Sequence, residues 1–335
     1  MKIRSEQLDL VRFLDKVLDR SLENRPLLHF YGGKCFVRGE DVRALIDFYE
    51  GDFEGSVVAE PVLRILEFGL PHIELVKKGE NAFEISLAGE GVSGGFSGVV
   101  YEVERWELPK DIDMRVFKGV DLDRDFMRVV ANIFADSKGE SVNFIGLSKE
   151  GDVFAADALR FLLKGELRDM VFFPLTICDL VLALPQDAQL SYLHHDGAYF
   201  FSDRRGLLFQ VAYRYTDDIV SRVKSRVMSW IKEFKPVAVV DAKALARSMK
   251  LVSGVDEIVV CNLVFDSDCV VVKGLSGSLK LRASVIKKGI SFGIRINIGV
   301  LEFLNAFEGG VGIEIKDNIV CLVVGDCRFV TAMAS

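Results

Sequence analysis

No long apolar run interrupts this chain of 335 residues. The most apolar window, VFFPLTICDLVLALP, is too short to span a bilayer and is broken by Asp179 and two prolines. The first residues, MKIRSEQLDL, lack the apolar segment of a signal peptide. The expectation is a soluble, cytoplasmic protein with no membrane partner. Cysteine is sparse and unpatterned. The six (Cys35, Cys178, Cys261, Cys269, Cys321, Cys327) form no C-x-x-C pair and sit mostly in strand-like apolar runs. They read as free buried thiols rather than metal ligands or a disulfide framework. Of only four histidines, the one adjacent pair lies in HHDG (194–197), at a turn between two strands where Asp-Gly is ordinary hairpin chemistry. The glycine-rich GEGVSGGFSG (89–98) leads into a strand and lacks the Gly-Lys-Ser/Thr of a phosphate loop, so it reads as a flexible hairpin or an edge bulge. No nucleophile elbow and no framed pair of carboxylates is present. Neither a metal, a cofactor nor an enzymatic activity is expected.

Positive charge is also in deficit. The formal net charge is −7, which argues against a protein that coats nucleic acid with its whole surface but permits a local basic lining. With 50% hydrophobic and 27% charged residues, two or three domains can each build a core.

What the chain does contain is a repeat. Three segments open with a short strand and a helix: KIRSEQLDLVRFLDKVLDR, MRVFKGVDLDRDFMRVVANIF and KPVAVVDAKALARSMKLVS. Each helix has a good N-cap residue, Ser5, Asp123 and Asp241, and both separations are 118 residues. A second set follows, beginning EPVLRILEFGLPH, FPLTICDLVLALP and INIGVLEFLNAFE, each reading as helix, strand, turn, strand. Each repeat therefore holds two helices and a majority of strand, an α+β composition, with cuts near 110 and 236.

The leading helices share a charge pattern. Lys243, Arg247 and Lys250 lie opposite Leu245, Met249 and Val252. Arg124 and Arg128 face away from Phe126, Val130 and Ile133, and Arg12, Lys16 and Arg20 recur at steps of four. The first helix also carries Asp9, Asp15 and Asp19, which weakens its field. Such faces are either ordinary solvated surface or one shared surface for nucleic acid.

At this point the sequence resembles the bacterial sliding clamps, the β subunits of DNA polymerase III. GDVFAADALRFLL (151–163) resembles the family's A-T-D-G-H-R-L through Ala155, Asp157 and Arg160. IRINIGVLEFLNAFEGGVGIEI resembles its F-N-x-x-Y-L-x-x-x-L segment through Asn297, Leu301 and Leu304. Arg25-Pro26-Leu27 looks like the R-P-x-L turn, and CRFVTAMAS like a degraded V-M-P-M tail.

The resemblance implies three tandem clamp domains (1–110, 111–236 and 237–335), with helices lining an inner face and antiparallel sheets outside. Two copies would form a ring around duplex DNA, contacted without sequence preference, and a DNA polymerase and clamp loader would dock through short peptide motifs. The DNA-facing residues would be Arg12, Lys16, Arg20, Arg25, Arg64, Arg124, Arg128, Lys243, Arg247 and Lys250. An extended partner peptide would meet Ala156, Ala158, Leu159, Arg160 and Phe161, with Phe329, Val330, Thr331, Ala332 and Met333 from the last strand. Phe96 would meet Leu251 and Val252 of a second copy, unless these three are ordinary core residues. The sequence departs from the family where Ala158-Leu159 replaces Gly-His and Ala332 replaces the tail proline. The F-P-D-Y segment is replaced by TDDIVSRVKSRVMSWIKEF, which reads as an amphipathic helix with Val220, Val223, Val227, Trp230 and Ile231 on its apolar side. The alternative function is a clamp-like interaction scaffold that no longer encircles DNA.

Overall fold

The computed structural model describes residues 2–3, 9–18, 26–67, 72–89, 92–120, 122–137, 143–203, 205–213, 217–253 and 259–334. Ser5, Arg20 and Arg25 lie outside them.

The first stretch holds β1 (Lys2–Ile3), α1 (Val11–Val17), β2 (Leu27–Tyr31), β3 (Lys34–Arg38), β4 (Val42–Asp47), β5 (Tyr49–Glu50), β6 (Gly55–Val58), α2 (Ala59–Glu67), β7 (His72–Lys77), β8 (Ala82–Gly89) and β9 (Val92–Val99). The middle holds β10 (Lys118–Gly119), α3 (Arg124–Ile133), β11 (Asn143–Leu147), β12 (Val153–Asp157), β13 (Arg160–Lys164), β14 (Val171–Pro174), α4 (Thr176–Ala183), β15 (Ser191–His195), β16 (Ala198–Ser202), β17 (Leu207–Ala212) and α5 (Asp217–Glu233). The last holds β18 (Lys235–Asp241), α6 (Ala242–Ser253), β19 (Val259–Phe265), β20 (Cys269–Gly274), β21 (Gly277–Val285), β22 (Ile290–Ile296), α7 (Ile298–Asn305), β23 (Gly310–Lys316), β24 (Ile319–Val324) and β25 (Cys327–Ala334). The helix, strand, turn, strand order follows α2, α4 and α7 alike. Asp123 caps α3 by accepting from the Phe126 N–H at 3.0 Å, and Asp241 caps α6 by accepting from the Ala244 N–H at 2.7 Å.

Two compact units result, one of residues 1–121 with 179–213 and one of 122–178 with 214–335. The first contains a five-stranded sheet, β5-β1-β7-β8-β9, and an eight-stranded sheet, β10-β15-β16-β17-β4-β3-β2-β6. Phe13 of α1 meets Phe209 on one face of the larger sheet, 5.1 Å between ring centroids. Its other face is covered by the chain around Trp106 and Ile112, which pack on Phe36, Leu45 and Phe200. The HHDG turn joins β15 to β16, with Asp196 at φ 47° and Gly197 at φ 72°. Both positions are left-handed, as a two-residue hairpin turn requires. All six cysteines are free and buried. Burial pushes the thiols of Cys35, Cys261, Cys321 and Cys327 up, the last two to about 12.

The second unit is built on a twelve-stranded antiparallel sheet, β14-β11-β12-β13-β25-β22-β19-β20-β21-β18-β23-β24. Strand alternation divides its residues between two faces. Phe329 reaches Phe303 of α7, 6.1 Å between ring centroids, and the Arg160 Nη1 donates to the Ile133 carbonyl of α3 at 3.0 Å. The α3, α6 and α7 helices pack together on that face. Gly299 permits the closest crossing: a Cβ there would lie 2.2 Å from the Ile133 nitrogen. On the opposite face, Phe161 stacks on Trp230 of α5 at 6.3 Å and 27°.

Candidate functional site

The α6 helix gives the clearest cationic face. Leu245, Met249 and Val252 are buried against the sheet, which leaves the opposite side to water. Arg247 and Lys250 are exposed and have no ion-pair partner among the described residues, whereas the Lys243 Nζ lies 3.2 Å from Glu308. On α1, Arg12 and Lys16 are exposed too, with Asp15 between them on the chain. The α3 cations are more constrained. Arg128 pairs with Asp125 at 3.1 Å, and Arg124 is half-buried, its pKa lowered first by burial and then by Arg128. Arg64 of α2 pairs with Glu60 at 2.6 Å. Among the described residues, Arg247 and Lys250 thus leave α6 with uncompensated positive charge, and uncompensated charge rather than cation count governs attraction to a polyanion.

The ten residues expected to line a partner pocket do not form one surface. The ten fall in two short stretches, 156 with 158–161 and 329–333, and successive strand residues point to opposite faces. Ala156, Phe161 and Val330 share the α5 face, since Phe161 is registered with both of the others. Arg160, Phe329 and Thr331 lie on the helix-rich face. Arg160 bonds to Asp157 (2.7 Å), Asp136 (2.7 Å) and the Ser137 hydroxyl (2.8 Å) there. Burial alone would lower the Arg160 pKa, but the two carboxylates carry it upward. Ala158 and Leu159 are exposed in the turn before β13; Ala332 is exposed and Met333 half-buried at the end of β25.

The residues on the α5 face are themselves covered. Ala156, Phe161 and Val330 are all buried, with Phe161 at 3% exposure. The stretch read as an amphipathic helix is one: Val220 and Val227 are buried, and Val223, Trp230 and Ile231 half-buried. Sequence reasoning placed this apolar stripe but missed what it packs on. The one available signal was that α5 stands where the family's F-P-D-Y segment was expected.

The third set is divided as well. Phe96 lies on β9, the terminal strand of its sheet, packs on Phe83 at 6.0 Å and is partly exposed. Leu251 is 68% exposed at the end of α6, but Val252 is buried in its own unit, where the β20–β21 turn closes on it through Gly274 and a Ser276 N–H to Val252 carbonyl bond of 2.8 Å. Val252 is therefore a core residue with no surface to offer a second copy. Leu275, in that turn, is 88% exposed beside it. The described residues contain no group of three metal-ligating side chains and no helix long and apolar enough to cross a membrane.

Known structures share this arrangement along their whole length. The DNA polymerase III β subunit of Thermotoga maritima matches with a TM-score of 0.69 at 15% identity, covering 100% of this chain and 99% of that one. This chain has the sliding-clamp fold. The clamp of Helicobacter pylori bound to a DNA ligase peptide matches at 0.65 and 15% identity, with 100% of both chains covered. The Pseudomonas aeruginosa DNA polymerase III β subunit matches at 0.67 and 12%, covering 100% and 99%. No protein-family model and no curated protein matches the sequence. The likeness lies in the fold, since at 12–15% identity most residues differ.

Proposed function

We propose that this chain is a DNA sliding clamp. Two copies close into a ring in the cytoplasm, duplex DNA passes through without sequence preference, and a DNA polymerase and clamp loader dock on the surface. The ring acts with no catalytic site of its own. The observation that carries the reading is the exposed pair Arg247 and Lys250 on α6 of a chain that has the clamp fold over its full length. Duplex DNA carries one charge per about 1.7 Å of axis, so hydrated Lys and Arg side chains attract its backbone without reading bases. A net charge of −7 discourages adhesion elsewhere. The three repeats, 1–110, 111–236 and 237–335, are taken as three clamp domains, each turning its leading helix to the DNA.

The ring seam is assigned to two strand edges. β9 ends its sheet, and β21 is paired to β18 only over Ala283–Val285, leaving the stretch from Gly277 open on that side. Phe96 and Leu251 would supply apolar contacts beside a strand-to-strand junction, which satisfies backbone groups that an edge leaves open.

A second reading, an interaction scaffold that no longer threads DNA, draws support from Glu60, Asp125 and Glu308, which pair with Arg64, Arg128 and Lys243. Light scattering and plasmid retention separate the two. A clamp is dimeric, stays on a nicked circle after loading and slides off once the plasmid is cut. A scaffold shows no dependence on topology, and that result would end the clamp reading.

A further inference from the structure

The part of the sheet face beneath Trp230 of α5 lies inside the sheet, away from its edge strand β14. β13 is hydrogen-bonded to β12 on one side and β25 on the other, and β25 continues to β24. A segment docking over Phe161 cannot add a strand there and must bind through side chains. The surface suits that mode. Phe144, Phe154, Phe161 and Phe172 form a run of ring contacts, with Phe144 to Phe172 at 5.5 Å and Phe154 to Phe161 at 6.0 Å.

The α5 helix meets this surface with few side chains. Val220 and Val227 are buried, seven residues apart and so on one stripe, and Trp230 stacks on Phe161. The Lys224 ammonium lies 5.4 Å from the Phe172 ring centre, and the Arg226 guanidinium 4.6 Å from that of Trp230. Glu233 closes the C-terminal end through Lys316 at 2.8 Å. Helices in proteins draw most of their stability from packing of the apolar stripe rather than from propensity, so α5, 17 residues long, depends on this face for its order.

We propose that α5 is a displaceable, in-chain occupant of a helix-binding face. The partner this face takes is an amphipathic helix of the same pattern: two apolar anchors seven residues apart, an aromatic residue three further on, and cations flanking it. The inference rests on the partner-docking part of the proposed function, gives that partner its form, and adds that α5 must leave first. Apparent affinity is then the intrinsic affinity reduced by the fraction of molecules in which α5 is open.

The test uses the full chain and a fluorescein-labelled synthetic peptide copying residues 217–233. The variant Val227→Asp/Trp230→Ala weakens the hold of α5 while leaving the sheet face unchanged. The peptide should bind this variant at least tenfold more tightly than the unmodified protein, and a peptide bearing the same two substitutions should not. Equal affinity for both proteins, or no binding to a variant whose circular dichroism is otherwise native, overturns the proposal. Should the variant not fold, hydrogen exchange on the unmodified protein decides. Amides of α5 should exchange at least tenfold faster than those of α6 and β13, and exchange of all three together would make α5 a fixed part of the core. Neither readout involves DNA, so a chain that fails the plasmid test can still pass this one, and the reverse.

Discussion

Helices α5 and α6 lie on opposite faces of one sheet, and the sequence describes them in nearly the same terms. Both are amphipathic and both are rich in Lys and Arg. They differ in how each stripe is spent. The α6 helix buries seven of its twelve residues, including Leu245 and Met249 at 0% exposure. Among the described side chains of α5, only Val220 and Val227 are buried. The cations diverge in the opposite sense. Arg222 of α5 pairs with Asp218 at 2.8 Å, and Lys224 and Arg226 sit over aromatic rings, whereas Arg247 and Lys250 of α6 are exposed and have no ion-pair partner among the described residues. A deeply seated helix can hold its charges out in the solvent, while a lightly seated one uses its charges to stay in place. Amphipathicity alone does not separate a structural helix from a cover.

The sharpest way to break the comparison is through stability. Leu245→Ala should lower the unfolding free energy by about 3–5 kcal/mol, the cost of a cavity in a well-packed core, as read from guanidinium midpoints. Arg160→Ala, on the same face of the sheet, should cost about 3 kcal/mol. It leaves Asp157 buried with a side-chain exposure of 1% and without its cation. A loss below about 1 kcal/mol for either would mean that the helix-rich face is not the rigid one.

Charge reversal gives the next effect. Replacing Lys243, Arg247 and Lys250 by Glu should reduce DNA affinity at least a hundredfold, roughly 2.7 kcal/mol, and flatten the salt dependence by about one unit of slope per cation lost. Reversing Arg222, Arg226 and Lys232 of α5 should leave DNA retention within about twofold, a difference of roughly 0.4 kcal/mol. Equal losses from both triples would show a diffuse surface attraction rather than a dedicated face.

Much of this was legible before any coordinates. The two N-caps at Asp123 and Asp241, the helix and hairpin order of each repeat, the turn at Asp196-Gly197 and the buried cysteines all follow from local chemistry, and local chemistry is what a sequence states directly. The partner surface was less legible. Naming Arg160 with Phe161, or Phe329 with Val330, treats a motif as a patch, yet the pleat sends neighbours to opposite sides. Val252 failed for a related reason: periodicity placed it on the apolar side of α6, but only the closure of the β20–β21 turn shows that this side is fully covered. The meeting of Trp230 and Phe161 joins positions 69 residues apart, and neither local pattern predicts the other.

Trp230→Ala sharpens the contrast with Leu245→Ala from the other side of the sheet. The aromatic contact it removes is worth about 0.5–1.5 kcal/mol, and α5 can open without the core. Global stability should fall by no more than about 1 kcal/mol, while protection of the α5 amides is lost. A fall comparable to that of Leu245→Ala would merge α5 with the core and erase the distinction between the two helices.

The smallest effect concerns acid. The Glu233 carboxyl is held below its ordinary value of 4.5, first by its hydrogen bond with Lys316 and then by that from Ser229. A carboxylate whose pKa is depressed in the folded state stabilises above its unfolded value, and that contribution is lost as pH falls through the folded value. Seating of α5 should therefore be independent of pH near neutrality and weaken below pH 4.5. Fluorescence of Trp230, read in a Trp106→Phe background, reports the change. Lys316→Met should remove this acid transition and loosen α5 at neutral pH, whereas an unchanged titration curve in that variant would mean that the ion pair does not help to seat the helix.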